Sequence, residues 1–194
     1  DSLTSIPQEK RLNEREDRQG DGEIIATHVQ LLDESGAEVE HALTAGTYTF
    51  RLHYRCNSDR EFKGCRVALG ICRKGFLMLD LSSNFVLTQD LRLKGEGYVD
   101  FTVPRLPLSD STYTYYTYIA SSSDVKDYVL PAGEFEVVGA DFFGTGRLYT
   151  APKEAGRVVL VPFTCTPGPA DGEEPRADPV STPRAAERTV GASR

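Results

Sequence analysis

The chain has 194 residues, nine Tyr, nine Phe and no Trp, and a formal net charge of −7. An acidic chain with interleaved Arg, Lys, Asp and Glu and no basic patch repels phosphate backbones, so no nucleic-acid partner is expected. No apolar run approaches the length that spans a bilayer, and no segment has the pattern of a signal peptide.

Residues 1–21 are polar and charged, with Leu3, Ile6 and Leu12 as the large apolar residues. They are expected to form a linker or a solvated connecting helix and no core. Because the chain opens on Asp1, a fragment of a longer protein is expected.

Residues 22–165 hold nearly all the strand signals, in a period of two. The first strand is expected from Glu23 to Leu32, followed by a turn at Gly36. Thr47 to Arg55 alternates sharply, with Tyr48, Phe50, Leu52 and Tyr54 on one face and Thr49, Arg51 and His53 on the other. Arg66 to Arg73 sends Val67, Leu69 and Ile71 inward, and Lys74-Gly75 turns the chain into Phe76 to Leu81. Tyr98 to Val103 follows, then Pro104 and Pro107, which break a ladder. Tyr113 to Ala120, Phe135 to Val138 and Arg157 to Phe163 complete the set. Many short strands with turn signals and no amphipathic helix indicate an all-β, immunoglobulin-like antiparallel sandwich, with a small barrel as the alternative. The tail, residues 166–194, carries five of the eleven prolines and no aromatic residue, and is expected to be disordered.

Catalytic signatures are missing from the sequence. There is no GxSxG and no HExxH, and His28, His41 and His53 are scattered without metal-ligand spacing. Asp80, Asp90 and Asp100 read as solvated carboxylates rather than a glycosidase pair. Gly144-Thr145-Gly146 lacks the third glycine and the lysine of a phosphate loop. Cys56, Cys65, Cys72 and Cys165 contain no CxxC pair and read as free thiols of a reducing compartment, the cytoplasm. The domain is therefore expected not to be an enzyme and to need no metal or cofactor.

Four stretches carry a resemblance. They are Glu23 to Gly36, a strand entering an acidic turn; Cys65 to Asn84, CRVALGICRKGFLMLDLSSN; Phe101 to Ile119, FTVPRLPLSDSTYTYYTYI; and Asp127 to Val138, with a glycine-containing stretch and the strand Gly156 to Phe163 after it. In order and spacing they resemble the C-terminal domain of Wzt-type proteins, the ATP-binding subunits of ABC transporters that export O-antigen polysaccharide. The chain departs from that pattern at Asp110-Ser111-Thr112, where a corner glycine is usual, at Phe163, where Trp is usual, and in its Pro-rich tail. The resemblance implies an upstream ATPase domain that holds ATP and Mg, and a domain that binds the finished end of the glycan on its undecaprenyl-diphosphate carrier. It also implies a homodimer that exchanges the terminal strand, a transmembrane transporter subunit as partner, and a place at the cytoplasmic face of the inner membrane. An oligomerisation or adaptor sandwich and an accessory module of a carbohydrate-active enzyme remain the alternatives.

A sugar site needs an aromatic platform beside polar donors and acceptors. Strand parity gives Tyr113, Tyr115, Thr117 and Ile119 to the core and turns Thr114, Tyr116 and Tyr118 outward. If this strand pairs with Arg66 to Arg73, the tyrosines stand beside the small residues Ala68, Gly70 and Cys72 and form a trough, with Arg66, Arg73 and Asp80 as a hydrogen-bonding rim. For the dimer, Val158 and Leu160 lie on one face of the last strand and Val159, Val161 and Phe163 on the other. Such a strand wants cover on both sides.

Overall fold

The alternation becomes two β-sheets in the computed structural model, which describes residues 12–150 and 158–165. The strands are β1 (Ile24–Leu32), β2 (His41–Leu43), β3 (Tyr48–Cys56), β4 (Phe62–Arg73), β5 (Phe76–Ser82), β6 (Leu91–Leu93), β7 (Glu96–Val103), β8 (Ser111–Ser121) and β9 (Asp124–Val138); a 3-10 turn covers Leu12–Glu14 and a short helix, α1, covers Ser83–Val86. One sheet has the order β1-β3-β7; the other has the order β2-β9-β8-β4-β5, with β6 added on β4. The fold is all-β. The chain divides into two units, Asp1–Pro162 and Phe163–Arg194; both sheets lie in the first.

The inward parity decides the core. Phe50 and Leu52 of β3, Val67, Leu69 and Ile71 of β4, and Tyr113 and Ile119 of β8 are all buried in one cluster drawn from both sheets. Each such side chain contributes about 1.5–3 kcal/mol by leaving water. Phe50 meets Phe135 of the facing sheet edge-on, with ring centroids 5.2 Å apart. Tyr113 is fully buried, and its hydroxyl donates to the Ser109 carbonyl at 2.9 Å, so its one polar atom is satisfied. Lys74 and Gly75 both take positive φ, 49° and 77°, the conformation a two-residue hairpin turn requires.

Several elements differ from the sequence expectation. β9 runs for 15 residues, where only Phe135 to Val138 was expected, because Pro131 and Gly133 lie inside it and read as breakers. β4 begins at Phe62, and β2, β6 and α1 are too short to leave a periodic signal. The expected strand Arg157 to Phe163 is not a strand in its described part. Val159 forms a single bridge with Leu108, the Leu160 amide donates to the Pro107 carbonyl at 2.8 Å, and Leu160 is buried while Val161 is exposed. The β-propensity of VVLV is met by one bridge because the backbone facing it, Pro107-Leu108, lies between strands rather than within one.

Residues 12–21 are not a free-standing linker. Leu12 is buried in the core cluster. Gln19 bridges to Tyr128 of β9, with backbone hydrogen bonds of 2.8 and 2.7 Å. Arg18 pairs with the fully buried Asp127 at 2.7 Å, and Asp127 also accepts the Ala26 amide at 2.8 Å. The Lys126 ammonium lies between Asp21, 2.6 Å, and Glu23, 2.8 Å. Alternating charges that read as solvent-facing are thus used to tie this segment to β9. Residues 1–11 and the tail, on which the connecting helix and the disorder were expected, fall outside the described residues. Among the described residues no helix is long and apolar enough to cross a membrane.

Candidate functional site

The outward face of the larger sheet brings the predicted residues together in rows across its strands. Tyr118 of β8 pairs with Ala68 of β4 on one side and with Tyr128 of β9 on the other, and Ala68 in turn pairs with Ser82 of β5. The next row runs from Asp80 of β5 through Gly70 of β4 to Tyr116. The row after it joins Cys72, Thr114 and Glu134. Three tyrosines therefore gather on one surface. Tyr128 meets Tyr116 at 5.7 Å and Tyr118 at 6.1 Å between ring centroids, both edge-on.

Polar groups border the rings. The Tyr116 hydroxyl crosses β4 and donates to Asp80 Oδ1 at 3.1 Å. Desolvation, reinforced by the Asp80 charge, pushes the Tyr116 hydroxyl up to about 12, so it remains a protonated donor through the neutral range. Arg66 is exposed; its guanidinium lies over the Tyr118 ring, 5.1 Å from the centroid, and its Nε donates to Ser82 Oγ at 3.1 Å. Ser82 donates onward to Asn84 at 2.5 Å. The half-buried rings offer faces to an apolar C–H surface, and Arg66, Asp80 and Asn84 offer donors and acceptors beside them.

Tyr116, Tyr118, Thr114, Arg66, Gly70 and Asp80 share this face as their parity requires. The expected trough does not stay open at Gly70, because the Tyr116 ring fills the space above that glycine. Arg73 is not brought to the face. It follows the inward parity of Ile71 and lies 5.9 Å from the centroid of the buried Tyr113. Tyr128 and Asn84 are additions that sequence reasoning missed. A strand through Tyr128 was hidden by Pro131, and the register that puts it opposite Tyr118 is a long-range property.

The other sheet presents a different surface. His28 and His53 stack 3.9 Å apart, His53 Nε2 lies 2.7 Å from Gln30 Oε1, and Arg51 both covers Tyr98 at 4.0 Å and grips Asp100 with two 2.8 Å hydrogen bonds. The charges of Arg51 and Asp100 are thus paired with each other. Asp80 and Asp100 lie on different sheets, which does not suit them to act as a pair across one scissile bond. Among the described residues no group of three or more His, Cys, Asp or Glu is placed to hold a metal. A cavity of about 610 Å³ opens between the sheets beside Leu31, Phe50, Tyr115 and Phe135, under Glu38, Glu40 and Glu134. Its rim is carboxylate, without a cationic donor.

The family model described as Wzt C-terminal domain matches residues 15–148. Among solved structures, the C-terminal domain of wzt superposes with a TM-score of 0.58 at 12% identity, over 71% of this chain and 90% of that one. A β-D-mannosidase from Dictyoglomus thermophilum gives a TM-score of 0.34 at 15% identity, over 59% of this chain and 13% of that one, a likeness too low to carry an argument. No curated protein matches.

Proposed function

The chain belongs to the Wzt C-terminal domain family, the non-catalytic carbohydrate-binding domain of O-antigen ABC transporters, and from that premise we propose that its polysaccharide lies across the tyrosine face of the larger sheet. The observation that carries this placement is the cluster of Tyr116, Tyr118 and Tyr128 with Arg66 and Asp80 at its border. Sugar rings stack on tyrosine faces through their C–H surface, while their hydroxyls bridge to guanidinium, carboxylate and amide groups. An open sheet face suits a polymer, since a chain can enter it from the side.

The finer reading follows the family. The two sheets form an immunoglobulin-like sandwich. The glycan is engaged near its finished end while attached to undecaprenyl diphosphate, at the cytoplasmic face of the inner membrane. An ATPase domain upstream holds ATP and Mg and meets the transmembrane subunit, and the domain works as a homodimer. The support is the family match together with a surface that offers binding groups.

Binding of the cognate O-polysaccharide to Tyr116→Ala and Tyr118→Ala tests the placement. Each loses a stacking platform and weakens binding by about 1–2 kcal/mol, roughly 5–30-fold, with the melting temperature preserved. Wild-type affinity in the double variant would place the glycan elsewhere.

A further inference from the structure

β4 ends at Arg73, turned inward over Tyr113. Its Nε and Nη1 are buried and have no hydrogen-bond partner, and the same is true of Ser109 Oγ. Of the four buried side-chain polar atoms in this condition among the described residues, three therefore belong to two residues, and those two residues line one cavity. The cavity holds about 350 Å³ and is completed by Asp110, Gly139, Leu148, Tyr149 and Thr150. Asp110 is engaged with the Gly139 amide at 3.1 Å, and no carboxylate among the described residues forms an ion pair with Arg73.

Buried polar groups are normally paired, and a buried donor left without an acceptor is costly. Orphaned donors that cluster at one cavity are open to an acceptor that the chain itself does not supply. A guanidinium N–H is a charge-assisted donor to carboxylate and phosphate oxygens, and a serine hydroxyl supplies a further donor. We propose that this cavity takes a single oxyanion, the carboxylate or phosphate ester of an acidic sugar, with Arg73 as counter-ion, Ser109 as second donor and Tyr149 as a wall for the sugar ring. This deepens the glycan-binding reading, on which the sugar part rests. It adds a subsite of opposite parity to the tyrosine face, specific for acidic units.

The test is titration of the chain with glucuronate, glucose 6-phosphate and glucose, followed by the amide resonances of Ser109 and Gly139. The acidic sugars are expected to saturate these shifts and glucose is not; the tighter of the two acids assigns carboxylate or phosphate. Arg73→Gln weakens the response by roughly tenfold or more. Arg73→Lys, which keeps the charge without the planar donors, falls between, and carries the test if Arg73→Gln fails to fold. Asp110→Asn tightens binding by removing a negative charge from the rim. Tyr116→Ala leaves the response unchanged, so failure of the tyrosine-face reading is separable from failure of this one. Equal binding of glucose, or acid binding that survives in folded Arg73→Gln, would overturn the proposal. So would binding that appears only in Asp110→Asn, since Asp110 would then be the counter-ion.

Discussion

The ring of Tyr116 lies on the backbone of Gly70: a Cβ built at that glycine would fall 1.9 Å from Tyr116 Cε1. The glycine is not there for a special φ. It lets the ring lie flat across β4 and reach Asp80 on β5. Gly70→Ala therefore evicts the ring, breaks the Tyr116–Asp80 hydrogen bond and removes the stacking surface without touching a binding group. The expected outcome is a loss of glycan affinity as large as that of Tyr116→Ala in a protein that still folds. Unchanged affinity in Gly70→Ala, measured on the same polysaccharide, would show that the flat ring is unimportant.

This relationship marks the boundary of what the sequence discloses. Parity along Tyr113 to Ala120 and Arg66 to Arg73 is a local property, so the inward and outward sets on β8 and β4 are readable, as is the Lys74-Gly75 turn. That Tyr116 sits opposite Gly70 depends on register, and that its hydroxyl crosses to a third strand depends on the sheet order. Tyr128 was hidden by Pro131 and Gly133, which a long strand accommodates. Arg73 was grouped with Arg66 by residue type, although one strand turns them to opposite sides.

The Arg18–Asp127 pair makes the N-terminal segment part of the domain. Asp127 is fully buried, Arg18 has a side-chain exposure of 16%, and the carboxylate also serves the Ala26 amide. Removing one partner of such a pair leaves the other charge buried, which costs about 3–5 kcal/mol. Asp127→Ala is expected to destabilise the protein by that order in urea unfolding. Asp127→Asn keeps an acceptor for Ala26 and costs less. A change below about 1 kcal/mol in Asp127→Ala would place the pair among solvent-screened surface contacts.

The Lys126 clamp gives stability a definite pH dependence. Burial pushes Asp21 up, but the hydrogen bond from Lys126, with its charge and the Glu23 amide, outweighs it and holds Asp21 below its ordinary 3.8. The hydrogen bond from Lys126 chiefly holds Glu23 below its ordinary 4.5. Depressed carboxyl groups contribute stability above their unfolded pKa and lose it as pH falls through the folded value. Asp127 runs the other way: burial raises it, so its penalty is fully present above its folded pKa and is relieved as pH falls. Lys126→Met is expected to flatten the fall in stability as pH drops below about 5, and Asp127→Asn to leave that fall in place or steepen it. An acid limb identical in Lys126→Met would show that the clamp contributes nothing to it.

The last prediction concerns the dimer. Leu160 is buried and its amide is held by Pro107, while Val159 bridges Leu108. Among the described residues this segment contributes one bridge and the Leu160 amide hydrogen bond, so few backbone hydrogen bonds hold it in place. The place where Leu160 sits is a socket that an identical segment of a second chain fits equally well, because the exchanged contact is the same contact. Exchange of identical elements is a low-cost route to a two-fold dimer. Val161 is 59% exposed, and a neighbouring chain would give it cover. Light scattering of the chain is expected to give a dimer, and of a chain ended at Ala155 a monomer. Leu160→Asp, which puts a charge into the socket, should dissociate the dimer without unfolding the sheets. A monomer at tens of micromolar with the segment intact would refute the exchange. A dimer that survives truncation at Ala155 would move the interface to another face.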